Sequence, residues 1–223
     1  MGGGVLGALQ RYVDPGECDV LLSHLHADHC LDMAGLVVWR RYHPNKPTGK
    51  ALLFGPTSTW QRLGAASSPE GGQVDDITDI FELNIWSDSQ AAQIGALSVL
   101  PRLMVHPAES YGMRITDPSG AVLVYSSDTA YCPALVELAA GADVFLCEAS
   151  WTHPGEHPPD LHLSGTEAGR AAREAGVGQL LVTHIPPWTS REDVIAEAKA
   201  EFGGPVHAVS CGESFDITRT PLS

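Results

Sequence analysis

Basic residues are scarce in this 223-residue chain: 13 Lys and Arg stand against 27 Asp and Glu, a formal net charge of −14 at pH 7. So acidic a chain is a poor electrostatic partner for a nucleic-acid polyanion. A small phosphate ester stays open as a substrate, because bound cations reverse the field locally. Long apolar runs are absent, so no stretch reads as a membrane span. Residues 1–9 are Gly-rich and apolar, yet they lack a basic n-region and are too short for a secretory leader. Leu6 occupies the position where a myristoylation signal needs Ser or Thr. The expectation is a cytoplasmic protein with no membrane partner. Cysteine is sparse and irregular: Cys18, Cys30, Cys132, Cys147 and Cys211 form no Cys-x-x-Cys pair. Buried free thiols are expected rather than disulfides. A hydrophobic content of 43% supports a sizeable core, and the length fits a single domain over 1–223.

Histidine is where the chain is rich, with 10 in all. Residues 23–29 read Ser-His-Leu-His-Ala-Asp-His, so His24, His26, Asp28 and His29 crowd together. That spacing fits one face of neither a helix nor a strand. It fits a loop fanned around a point, and loops held by a rigid scaffold carry function. The apolar run 20–22 just before it reads as a strand, and 31–38 just after it as the start of a helix. Imidazole and carboxylate donors suit zinc, manganese or iron. Cys30 beside them is not needed as a ligand.

The remaining order is mixed. Asp32 is placed to cap a helix running to about Tyr42, stopped by His43-Pro44. Strands are expected over 51–54, 77–86, 94–105, 144–147, 180–183, 206–210 and 215–218, and a short helix over 57–63 followed by a loop over 64–76. Residues 111–116 and 121–126 flank a turn at Asp117-Pro118-Ser119-Gly120 and form a hairpin. Pro133 opens a helix to about Ala140. Ser164-Gly165-Thr166-Glu167 is a capping box opening a helix to Ala175, and Ser190 opens another to Phe202. Alternating strands and helices with hairpins suit two mixed sheets with helices outside.

His-x-His-x-Asp-His resembles the signature of the metallo-β-lactamase superfamily. That resemblance implies a four-layer αββα sandwich with a one- or two-metal site at one edge. Further motifs match: His106 before Pro107, followed by Gly112-Met113-Arg114; Asp128 in Ser127-Asp128-Thr129, where Ser127 replaces the usual Gly; and His184 in Thr183-His184-Ile185. The resemblance implies that His24, His26 and His106 hold one metal, that Asp28, His29 and His184 hold a second, and that Asp128 bridges them. Zinc is the first expectation for both ions, with manganese or iron as alternatives. Asp28 also orients the attacking hydroxide. The family's N-terminal strand pair and loop aspartate have no counterpart here, so an uncovered sheet edge is expected near residue 1.

His162, in Leu161-His162-Leu163-Ser164, is similar to the His-x-Ser/Thr motif of the Z-type tRNA 3′-processing ribonucleases, where the histidine protonates the leaving oxygen. Residues 153 and 157, both histidines, lie in a Pro- and Gly-rich loop placed to overhang such a site. His43 and His207 read as structural. Arg40, Arg41, Lys46 and Lys50 form a basic cluster that reads as a solvated face, with phosphate steering the lesser alternative. Nearly the whole chain, including Trp39 to Pro44, Glu148 to His153 and His184 to Asp193, resembles actinobacterial cyclic-nucleotide phosphodiesterases of this superfamily. The resemblance implies a metal-dependent hydrolase of 3′,5′-cyclic nucleotides, with cAMP first. It also implies a small-molecule rather than a nucleic-acid partner, and association as a homodimer. The alternatives are a tRNA 3′-processing endonuclease, a thioesterase or lactamase, or a non-catalytic metal-holding scaffold.

Overall fold

The computed structural model describes residues 1–219 and divides into two compact units, Met1–Trp86 and a second that begins at Ser87. In the first unit, helix α1 (Val5–Leu9) and a 3-10 turn (Pro15–Glu17) precede strand β1 (Val20–Leu21). Helices α2 (Ala27–Cys30) and α3 (Met33–Tyr42), strand β2 (Ala51–Gly55), helix α4 (Thr59–Ser67) and strand β3 (Phe81–Ile85) follow. The strands form a parallel sheet in the order β1-β2-β3, with Val20 opposite Leu53 and Leu53 opposite Leu83. Among the described residues no strand precedes Val20, and β1 is an outer strand of this sheet.

Helix α3 buries Met33, Leu36, Val37 and Arg40, the i, i+3, i+4, i+7 stripe of an amphipathic helix. Its apolar members join Leu22, Leu53, Leu63 and Phe81 in the unit's core. The guanidinium on that stripe is satisfied by backbone: Arg40 donates to the carbonyls of Ile80 (3.3 Å), Gly49 (2.8 Å) and Gly16. Arg41 pairs with Asp79 (2.8 Å) and Asp75, and Lys46 donates to the Arg41 carbonyl at 2.7 Å. Arg40 and Arg41 therefore tie elements of this unit together, while Lys46 and Lys50 stay exposed as a solvated face would have them. Asp32 sits at the N-terminal boundary of α3 but makes no side-chain cap. Its carboxylate instead accepts the Leu6 amide at 2.7 Å, docking α1.

The second unit runs β4 (Ala92–Ile94), β5 (Leu97–Leu103), β6 (Tyr111–Thr116), β7 (Val122–Tyr125), α5 (Pro133–Ala139), β8 (Val144–Glu148), α6 (Gly165–Ala175), β9 (Gln179–Thr183), α7 (Arg191–Phe202) and β10 (Val206–Ala208). Its seven strands order as β10-β9-β8-β7-β6-β5-β4. Strands β4 to β7 pair antiparallel and β7 to β10 parallel. The parallel strands carry Val124, Phe145, Cys147, Leu180 and Val182 into a core closed by Leu135 of α5 and the alanine face of α6.

The capping box of α6 is complete, with the Ser164 hydroxyl on the Glu167 amide and the Glu167 carboxylate on the Ser164 amide. Helix α7 carries its Ser190 cap. Further expectations change. Of the strand expected over 77–86 only Phe81–Ile85 is extended, because residues 77–80 form a turn closed by the Ile80 amide on the Ile77 carbonyl (3.3 Å). The run 94–105 breaks into two strands joined at Gly95, whose φ of +56° turns the chain back on itself. Helix α4 lies over Thr59–Ser67 and so reaches into the expected loop. Residues 215–218 form no strand; β10 ends at Ala208, and Phe215 packs instead against the ring of His207.

Two sheets flanked by helices are thus present. Cys30, Cys132 and Cys147 are buried and every cysteine is free, as expected, although Cys211 is exposed. No helix among the described residues is long and apolar enough to cross a membrane.

Candidate metal centre

In the first unit the histidine motif leaves the end of β1. The Leu22 amide bonds to the Phe54 carbonyl (2.8 Å), and the Leu22 carbonyl accepts Trp86 Nε1–H (2.9 Å). The base of the loop is thereby fixed to β2 and to the residue after β3. His24 and His26 precede the single turn of α2, and Asp28 and His29 lie on it. The His24 ring is buried and lies 4.9 Å from the His26 ring and 4.1 Å from that of His29, between centroids. His24 Nδ1 faces Ser23 Oγ at 3.3 Å, and His29 Nε2 is 3.3 Å from Asp28 Oδ2. The Asp28 side chain is 68% exposed. Gly2 packs on this turn so closely that a Cβ there would lie 1.6 Å from the Asp28 carbonyl oxygen. The Gly-rich start of the chain thus braces the motif. Cys30 donates its thiol to the Leu25 carbonyl at 3.5 Å, a structural contact.

In the second unit the strand register collects the remaining candidates. Tyr125 of β7 pairs with Leu146 of β8, and Glu148 at the end of β8 pairs with Thr183 at the end of β9. Asp128, Glu148 and His184 therefore leave at the carboxyl ends of neighbouring parallel strands, where open α/β sheets build sites. His106 follows β5, which runs in the same direction because two antiparallel pairings separate it from β7.

Asp128 is only 2% exposed. Its Oδ2 lies 3.5 Å from His184 Nε2 and 3.9 Å from His162 Nδ1. Asp128, His162 and His184 each bring a ligand atom within 4.8 Å of the others. Ser127 before it has φ +58°, left-handed backbone that costs a residue with a Cβ about 1–2 kcal/mol. This is the strain expected where Ser replaces Gly. His184 shows the same backbone, also at φ +58°, and such outliers cluster at functional sites.

The imidazoles are held by their Nδ1 atoms. His106 Nδ1 lies 2.9 Å from the Leu161 carbonyl, which fixes it as the protonated nitrogen and Nε2 as the donor atom for a metal. His162 Nδ1 lies 2.9 Å from Glu148 Oε1. His184 Nδ1 lies 2.9 Å from Ser150 Oγ, whose hydroxyl reaches Glu148 Oε2 at 3.1 Å. Metal-binding histidines are oriented in this way, by a carboxylate, hydroxyl or carbonyl on the far nitrogen. The donor set therefore fits divalent metals of the zinc, manganese or iron type.

Glu148, fully buried, is the hub of this network and also accepts the Thr129 amide at 2.9 Å. Burial pushes its carboxyl above the usual carboxylate range, and the hydrogen bond from His162 pulls it back. Sequence reasoning missed Glu148 and Ser150 as functional residues. The available signal was a carboxylate ending an otherwise apolar buried strand. His43 stacks on Trp39 (4.6 Å) and His207 bonds Glu213 (3.0 Å), both structural.

The comparisons agree with this chemistry. The chain is 70% identical to the uncharacterised protein Rv1339 of Mycobacterium tuberculosis over 98% of its own length and 80% of that protein's. It is 30% identical to the probable metallo-hydrolase YhfI of Bacillus subtilis, over 95% of this chain and 84% of YhfI. The crystal structure of YhfI superposes with a TM-score of 0.84 at 27% identity, covering 97% of this chain and 85% of that one. Ribonuclease BN of an Enterobacter species is 28% identical over 84% of this chain and 78% of its own. The family model described as the beta-lactamase superfamily domain matches residues 9–185, and the chain belongs to that superfamily as a metallo-hydrolase.

Proposed function

We propose that the protein is a metal-dependent phosphodiesterase that hydrolyses 3′,5′-cyclic nucleotides, cAMP first among them. The observation that carries this reading is His162 held by the buried Glu148 at 2.9 Å beside Asp128. A buried carboxylate available to a metal and an oriented imidazole beside it supply a ligand and a proton donor that phosphodiester cleavage can use.

In this reading, which rests on family membership for the grouping of ligands, His24, His26 and His106 would hold one divalent ion and Asp28, His29 and His184 the other, with Asp128 a ligand available to both. Zinc is the first candidate. When bound, such ions bring a water molecule's pKa near neutrality and offset the charge that builds on phosphorus. Asp28 orients the attacking group. His162 carries a proton on Nε2 while its Nδ1–H donates to Glu148, and it passes the Nε2 proton to the departing ribose oxygen. Glu148 stabilises the charged imidazole and keeps Nε2 turned to the substrate.

The net charge of −14 favours a small ester over a long polyanion, and a ribonuclease relative supports the phosphodiester class. The test is turnover of cAMP, bis-p-nitrophenyl phosphate, S-lactoylglutathione and nitrocefin by the metal-loaded protein. Hydrolysis of cAMP supports the reading. Cleavage of the thioester or lactam alone replaces it with the other hydrolase classes, and no cleavage at full metal occupancy favours a metal-holding scaffold.

A further inference from the structure

The loop that follows β8 carries an aromatic arrangement that proton transfer and metal binding leave unused. The Trp151 indole and the His157 imidazole stack in parallel, with centroids 4.4 Å apart and planes 4° apart. The same indole meets the His162 ring edge-on at 5.2 Å. His157 Nε2 bonds the Thr152 carbonyl at 2.9 Å. Gly155 makes room for that ring: a Cβ there would lie 2.5 Å from His157 Nε2. His157 itself is exposed, as is the chain from His153 to Asp160. Beside this stack lies a cavity of about 240 Å³ lined by Ala130, Trp151, His153, His157, Asp160 and His162 among others. That is below the range of drug-sized pockets, so it suits a single ring system.

We propose that Trp151 is the stacking platform for the nucleobase of the substrate, and that His157 is a placeholder which the base displaces. The inference rests on the proposed role of His162. A flat heteroaromatic ring already lies on the indole in the parallel geometry that bases adopt on aromatic side chains. A purine covers more of the indole than the five-membered imidazole does. The ring that stacks the base and the ring that protonates the ester oxygen are neighbours, so one nucleotide reaches both. His157 is exposed and borne on a loop, so its departure leaves the core intact.

The experiment is calorimetric titration of the intact protein with adenosine 5′-monophosphate and with ribose 5-phosphate, which keeps the phosphate and lacks the base. Wild type is expected to bind the nucleotide more tightly. Trp151→Ala should weaken nucleotide binding by about 5- to 150-fold and leave ribose 5-phosphate unchanged. Trp151→Phe should keep most of the preference. His157→Ala and Gly155→Ala, the latter by expelling the imidazole, should both tighten the nucleotide alone.

Equal binding of the two ligands by wild type, or an undiminished preference in Trp151→Ala, would overturn the platform. Weaker nucleotide binding in His157→Ala would overturn the placeholder, and with it the proposal. Binding needs no turnover, so the two readings fail separately. Absence of cyclic-nucleotide hydrolysis removes the reaction, and hydrolysis indifferent to Trp151 removes the platform.

Discussion

Ser110 and Ser127 share a 2.8 Å hydrogen bond between their buried hydroxyls, and Ser110 Oγ also donates to the Asp128 carbonyl at 2.9 Å. The turn that presents Asp128 is therefore pinned by a strand-end serine while Ser127 holds left-handed backbone. Two substitutions separate these effects. Ser127→Ala keeps the strain and loses the hydroxyl, so it should cost about 1–2 kcal/mol. Ser127→Gly loses the hydroxyl but relaxes the backbone, so it should stay within about 1 kcal/mol of wild type. Denaturant unfolding of both proteins checks the order, and a glycine variant less stable than the alanine variant would contradict it.

Asp128→Ala should abolish turnover together with metal. Its carboxylate is nearly fully buried beside His184, and in the proposed centre it serves both ions. Elemental analysis of the purified variant should show less than the wild-type metal content. A full complement would remove Asp128 from the ligand set.

His162→Ala should retain metal and lower kcat by roughly 10²–10⁴, the usual contribution of a positioned proton donor. An unchanged kcat would dismiss His162 as the acid. Glu148→Gln keeps the shape but weakens the anchor of His162 and, through Ser150, that of His184. Its expected signature is a combined loss, about 10- to 100-fold in activity or metal affinity.

Chelation should lower the melting temperature as well as the activity, because a ligand that binds only the folded chain stabilises it by about 2.7 kcal/mol at one hundred times its Kd. Differential scanning calorimetry with and without added zinc or manganese reads this directly. A melting temperature indifferent to metal would argue against a centre built from these residues.

Ser164→Ala should destabilise the protein by about 0.5–2 kcal/mol, since it removes one half of the complete capping box of α6. Thermal unfolding is the measurement, and a stability equal to wild type would show that the box contributes nothing net.

Local patterns were legible in advance because their partners are close in sequence. The hairpin across Asp117-Pro118-Ser119-Gly120, the Ser164–Glu167 box and the His24–His29 cluster each carry their own geometry. What escaped notice depends on partners far along the chain. Asp32 has the residue type and place of a helix cap, yet its carboxylate is taken by an amide 26 residues away. Arg40 looked like surface charge, but three carbonyls from separate segments enclose it. Glu148 reads as the polar end of a strand until His162, 14 positions later, and Ser150 converge on it. The alternation over 94–105 hid the reversal at Gly95, because apolar spacing continues on both sides of the turn.

One carboxylate steering two rings has a consequence for how this protein can change. Any substitution or proton that loosens Glu148 disturbs the direct imidazole and the hydroxyl-relayed one together. In the proposed mechanism this would couple cation retention to leaving-group assistance, so that descendants could adjust one without moving the other only if a new tether for His184 arose elsewhere.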